Sequence, residues 1–142
     1  LTGSDDKDKL LAALKAGARG YVLKGVSAKE LADVVAREHG NIHRSGDLNA
    51  AALVRLLERC DAFRKPQRMH EVLLACECDA RGRLGLTESP YPQAARLLEA
   101  LSAAQSVATN LIADRAMDAG ASGKNIGELI HMARVEAVQT RV

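Results

Sequence analysis

A mostly α-helical bundle, with at most one or two short β-strands near the N-terminus, is the fold this sequence predicts. Three observations carry that expectation. From Gly40 onward the apolar residues recur at three- and four-residue spacing, and no alternating strand pattern returns. The breaks fall at Pro66 and across the stretch from Arg81 to Pro92, where two prolines and two glycines resist any regular element. Finally, 47% of the 142 residues are apolar but only 2% are aromatic, so the core must be built from Leu, Ala and Val through narrow helix contacts. A chain of this length is one ordinary domain or two small pieces, and can bury roughly two thirds of its unfolded surface without metals or disulfides.

The elements follow in chain order. Ser4 is a natural N-cap, and Asp5, Asp6 and Asp8 complement the dipole of a helix running from about Asp5 to Ala16, with Gly17 suited to its C-terminal side. Tyr21-Val22-Leu23 is a brief β-prone run between glycines. A lone strand is not stable, so it either pairs with a second copy, which would make a homodimer through the N-terminal segment, or gives up strand geometry. Ser27 and Glu30 have capping-box spacing and open a helix that carries Leu31, Val34 and Val35 inward. A further stripe, Leu53, Val54, Leu56 and Leu57, follows Asn49 and stops before Pro66. Helices are then expected over Gln67–Asp79, to about Val107 through Leu97, Leu98, Leu101 and Ala104, and over Asn110–Asp118. The last, Lys124–Gln139, is capped by Ser122 and expected to be buried through Ile126, Leu129, Ile130 and Val135.

Charge and cysteine usage narrow the function classes. Twenty Lys and Arg against eighteen Asp and Glu leave +2, which argues against a strongly electrostatic autonomous nucleic-acid binder but allows local basic patches. Three aromatic residues, Tyr21, Phe63 and Tyr91, offer almost no stacking platform for single strands. Cys60, Cys76 and Cys78 are an odd set, too few for a disulfide framework, and point to a reducing, cytoplasmic setting. Apolar runs are only a few residues long and no basic leader precedes them, so neither a membrane partner nor a signal peptide is expected.

The run Leu1-Thr2-Gly3-Ser4-Asp5-Asp6, continued by Leu14-Lys15-Ala16-Gly17-Ala18-Arg19-Gly20-Tyr21-Val22-Leu23-Lys24, resembles the end of a response-regulator receiver domain over about residues 1–35. That resemblance implies switch positions at Thr2, Tyr21 and Lys24, and a receiver-like protein-interaction surface as one alternative function. The family's phosphoacceptor aspartate and acidic metal-binding pair lie upstream of the match, so phosphorelay chemistry is not expected. Lys24 needs a phosphoaspartate to pair with.

From about residue 36 to 142 a second resemblance takes over. It rests on Ala36-Arg37-Glu38-His39-Gly40-Asn41-Ile42-His43-Arg44, Asp61-Ala62-Phe63-Arg64-Lys65-Pro66-Gln67-Arg68, Cys78-Asp79-Ala80-Arg81-Gly82-Arg83-Leu84-Gly85 and Pro90-Tyr91-Pro92-Gln93. These runs resemble the C-terminal portion of bacterial multifunctional CCA-adding enzymes, tRNA nucleotidyltransferases that also carry a phosphohydrolase domain of the HD type. The nucleotide loop and paired aspartates of that family's head are not found, and no His-Asp dipeptide occurs anywhere in the chain. The resemblance therefore implies a non-catalytic helical module, with no cofactor and tRNA as a weakly bound partner. The two matches meet inside one predicted helix, between Glu30 and Arg37, which suggests a chimera, engineered or recombined, with no selected activity as a further alternative.

Two basic clusters are the candidate RNA-binding residues: Arg64, Lys65 and Arg68, and Arg81 with Arg83, since cations beside helix starts hold phosphates. The competing reading pairs Arg64 and Arg81 with acids such as Asp61 or Asp79 to fix loops. His39 and His43 have a metal-compatible spacing, but Gly40 and Asn41 between them argue against a continuous helix, so no metal site is assigned. Cys76 and Cys78, on opposite sides of a helix, cannot chelate one ion; Cys76 is expected in the core. His70 and His131 are expected as partly exposed helix residues. Gly123-Lys124 lacks the glycine spacing of a phosphate loop and reads as a helix N-terminus. No catalytic residue is assigned.

Overall fold

A computed structural model describes residues 28–83 and 90–142, without the side chains of Ala28 and Arg83. The expected helix over Asp5–Ala16, the strand at Tyr21–Leu23, the Ser27 cap, the switch positions Thr2, Tyr21 and Lys24, and the loop residues 84–89 lie outside the described residues. Among the described residues there are six α-helices and one 3-10 turn: α1 (Ala28–His43), the turn Ser45–Asp47, α2 (Ala50–Arg59), α3 (Pro66–Arg83), α4 (Pro92–Gln105), α5 (Thr109–Asp118) and α6 (Gly123–Arg141). The mostly α-helical bundle is what the periodicity predicted.

Each helix forms for local reasons and then buries one stripe. In α1, Leu31, Val34, Val35, Glu38 and Ile42 share the inner face. Asn49 caps α2 by accepting a hydrogen bond from the Ala52 amide at 2.9 Å. α2 then contributes Leu53, Val54, Leu56 and Leu57 to the core. Pro66 opens α3, where its missing N–H costs nothing, and Met69, Val72, Leu73 and Cys76 point inward. Pro92 plays the same part in α4, whose Ala100, Ala103 and Ala104 leave room for a neighbouring backbone to come close. α5 ends at Gly120, whose φ of +79° suits the left-handed turn that closes a helix. α1 packs on α3, while α6 lies across α4, α2 and α5.

Three expectations need correction. α1 runs unbroken through Gly40 and Asn41 to His43, because a single interior glycine costs only about 1 kcal/mol and the flanking stripe is buried. α3 continues to Arg83, so Arg81-Gly82-Arg83 forms the helix's end rather than a loop. In α6, Leu129 is exposed and Ile126, Ile130 and Val135 are only partly covered; the fully buried side chain is Val138. None of the described helices is long and apolar enough to cross a membrane.

Candidate functional site

The turn after α2 gathers most of the candidate cations. Cys60 ends the helix, and Asp61 follows in the left-handed region at φ 56°, a conformation that Asp tolerates better than most residues. That turn delivers Arg64, Lys65 and Pro66 at the start of α3. Arg64 is 78% exposed and pairs loosely with Asp61 at 3.8 Å. Lys65 reaches Glu30 of α1 at 3.2 Å. Arg68, by contrast, is 7% exposed: it donates to the Cys60 carbonyl at 3.0 Å and lies near both Asp61 and Glu30. Its guanidinium is spent on closing α2 and joining α1 to α3.

The same corner holds cations that the sequence reading did not single out. Glu38, buried in α1, accepts from Arg59 Nε at 3.0 Å and from Asn41 Nδ2 at 3.0 Å. Arg37 lies 3.7 Å from the same carboxylate and donates to the Arg59 carbonyl at 3.1 Å, while Arg44 donates to Asn41. Arg37 and Arg68 therefore cap the last carbonyls of α2 from two sides, where positive charge complements the helix dipole. Burial pushes the Cys60 thiol up to about 12, an effect to which Glu38 adds and which Arg37, Arg59 and Arg68 oppose. Contacts across 21 and 22 residues carry no local sequence signal; the only hint was an acid on a helix's apolar face.

Arg81 and Arg83 sit apart from this corner in sequence and fold, at the far end of α3. Arg81 pairs with Glu77 one turn earlier at 3.2 Å. Nearby, His43 is held from both sides, by Asp79 Oδ2 at 3.1 Å on Nε2 and by the Tyr91 hydroxyl at 2.7 Å on Nδ1. Because a carboxylate only accepts, Nε2–H donates to Asp79, and in the neutral ring Nδ1 accepts from Tyr91. Burial, then Cys76, Asp79 and Glu77, push the Tyr91 phenol upward, which keeps it a donor. Gln93 also donates to the His43 carbonyl at 2.9 Å. His39 bonds the carbonyls of Val35 and Ala36 through Nδ1 and meets His43 edge to face. His43 thus joins α1 to Asp79 and Tyr91, whereas His39 bonds only within α1, and among the described residues no group of three His, Cys, Asp or Glu is arranged to hold a metal.

The remaining sites settle as structure. Cys76 is fully buried and its thiol is pushed up to about 12, chiefly by burial, whereas Cys78 is exposed. His131 of α6 bonds Glu58 of α2. Arg134 stacks 3.9 Å above the Phe63 ring, covering that ring's face.

The chain matches a segment of proteins described as "Multifunctional CCA protein". It is 70% identical over 111 residues to one from Polaromonas naphthalenivorans, covering 78% of this chain and 26% of that protein. It is 69% identical over 113 residues to one from Acidovorax sp., covering 80% and 27%. A third, from Ralstonia nicotianae, is 57% identical over 110 residues, covering 78% and 25%. The chain therefore spans about a quarter of the length of the curated relatives it matches. No family model and no solved structure matches it.

Proposed function

We propose that this chain is a helical, non-catalytic module of a CCA-adding enzyme that grips tRNA while chemistry takes place elsewhere. The observation that carries this reading is the identity to Multifunctional CCA proteins, near 70% over most of the chain, joined to a described part that is a helical bundle with basic corners. Arg64 and Lys65 are the members of the predicted set that reach solvent at the α2–α3 turn, and Arg81 and Arg83 supply charge at the other end of α3. Arg68 serves by holding that turn in place. The receiver-like stretch, about residues 1–35, is on this reading a separate piece spliced in register within α1, and its Thr2, Tyr21 and Lys24 take no part in RNA contact.

The test is fluorescence anisotropy of a labelled tRNA transcript titrated with the chain between 50 and 200 mM salt, a range over which about six to ten phosphate contacts cost 10³- to 10⁵-fold in affinity. Weak binding whose log affinity falls linearly with log salt is expected. Absence of binding at the lowest salt overturns the RNA reading. Incubation with CTP, ATP and magnesium is expected to leave the tRNA end unchanged, and clear nucleotide incorporation overturns the non-catalytic part.

A further inference from the structure

The corner where α1, α2 and α3 meet is more basic than the chain as a whole. Among the described residues linked by its hydrogen bonds and ion pairs, six cations (Arg37, Arg44, Arg59, Arg64, Lys65 and Arg68) face three carboxylates (Glu30, Glu38 and Asp61). The local excess is three, against two for the entire sequence. The carboxylates are also unevenly placed. Glu38 is 3% exposed and lies beneath the surface, whereas Arg37 and Arg59, which it orients, are 55% and 47% exposed. A buried acid under two half-exposed guanidinium groups fixes their direction while leaving charge at the surface. The backbone adds to this, since the Arg59 carbonyl holds Arg37 and so takes up part of the rotamer freedom that a free arginine loses on binding.

We infer that Arg37 and Arg59, preorganised by Glu38 as the positioning residue beneath them, form with the exposed Arg64 a contact surface for RNA backbone phosphates. This inference rests on the RNA-handling reading above and names the surface it uses. Planar guanidinium forks match phosphate oxygens in pairs, which ammonium groups do not, and three of them stand here around the end of one helix. Among the described residues the aromatic ring beside the corner is Phe63, and Arg134 covers a face of it. Contact is therefore to phosphates rather than to unstacked bases.

The experiment compares salt slopes. Arg37→Gln, Arg64→Gln, the double variant and Arg115→Gln are titrated against the same tRNA transcript, with circular dichroism melts to establish that each is folded. Arg64 is the most secure probe because its side chain is largely exposed, and Arg59 is left intact so that Glu38 keeps its partner. Arg115 lies on α5, which packs on α6, and serves as the control. Each corner substitution is expected to lower the slope of log affinity against log salt by about 1, the double variant by about 2, and the control not at all. If the parent chain binds and the corner variants keep its slope, or if Arg115→Gln loses as much as they do, the corner is not the contact surface although the module still handles RNA. If the parent chain does not bind at 50 mM salt, both readings fall.

Discussion

Single residues in this fold are set by burial more than by type, and the three cysteines show it. Cys60 and Cys76 have no solvent exposure and their thiols are pushed from the usual value near 9 up to about 12, mainly because the thiolate would lose its hydration. Cys78, two residues from Cys76 and on the other side of α3, is exposed. Alkylation of the native chain at pH 8 is therefore expected at Cys78 alone, with Cys60 and Cys76 reacting only in denaturant, as read by peptide mass mapping. The sign of the pH dependence follows from the same shifts. The neutral thiol is the form favoured in the fold, so this contribution to stability is complete below the unfolded value near 9 and is lost as pH rises toward 12. Denaturation midpoints measured across that window are expected to fall, and to fall less in a Cys76→Ser variant; flat midpoints would remove the thiols from the account. Of the residue assignments, the core place of Cys76 was legible from helical spacing alone. The His43–Asp79–Tyr91 joint was not, because its partners are 36 and 48 residues from His43 and meet only after α1, α3 and α4 have packed.

Helices carry different shares of local and tertiary stabilisation, and their caps show which is which. The Asn49 cap on α2 is short, and α2 buries four large side chains, so its N-terminus is tied to the core it feeds. Ser122 accepts from Asn125 at 3.3 Å at the start of α6, where Lys124, Asn125 and Glu128 are all exposed. Asn49→Ala is accordingly expected to lower global stability by about 1 kcal/mol in urea denaturation. Ser122→Ala is expected to cost distinctly less, with its effect confined to faster hydrogen exchange in the first turns of α6. Equal global losses would mean that the two helix starts are equally coupled to the core. The same contrast explains what the sequence could and could not tell about these elements. In α2 apolar spacing located both the element and its buried face, whereas in α1 it located Leu31, Val34 and Val35 but not the continuation through Gly40 and Asn41 to His43. In α6 the spacing located the helix but misassigned the face, because its inward side is shared by His131, Arg134, Val135 and Val138, two of them polar residues paired to Glu58 and Phe63.

At the scale of the molecule, the question is whether α1 and the helices that follow it form one cooperative structure. Along α1 the described residues enter a single hydrophobic cluster: Leu31, Val34, Val35 and Ile42, together with side chains from α2, α3 and α4 and with Val138 of α6. A helix joined in register keeps its buried stripe whatever the origin of its two halves, since the stripe depends only on spacing. Val35 lies in the first described helix and Val138 in the last, and both are fully buried, so each is expected to report on the same core. Val35→Ala and Val138→Ala should each destabilise by roughly 1–3 kcal/mol, on the order of the transfer and cavity cost of the methyl groups removed. The informative outcome is the form of the unfolding curve. A shared core requires that both substitutions move one common transition, followed by circular dichroism and by a probe attached at Cys78. If Val35→Ala instead splits off an early transition that leaves the Cys78 probe undisturbed, α1 is an independent piece docked on the remaining helices, and the corner formed by Arg37, Arg59 and Arg64 would then exist only while that docking holds.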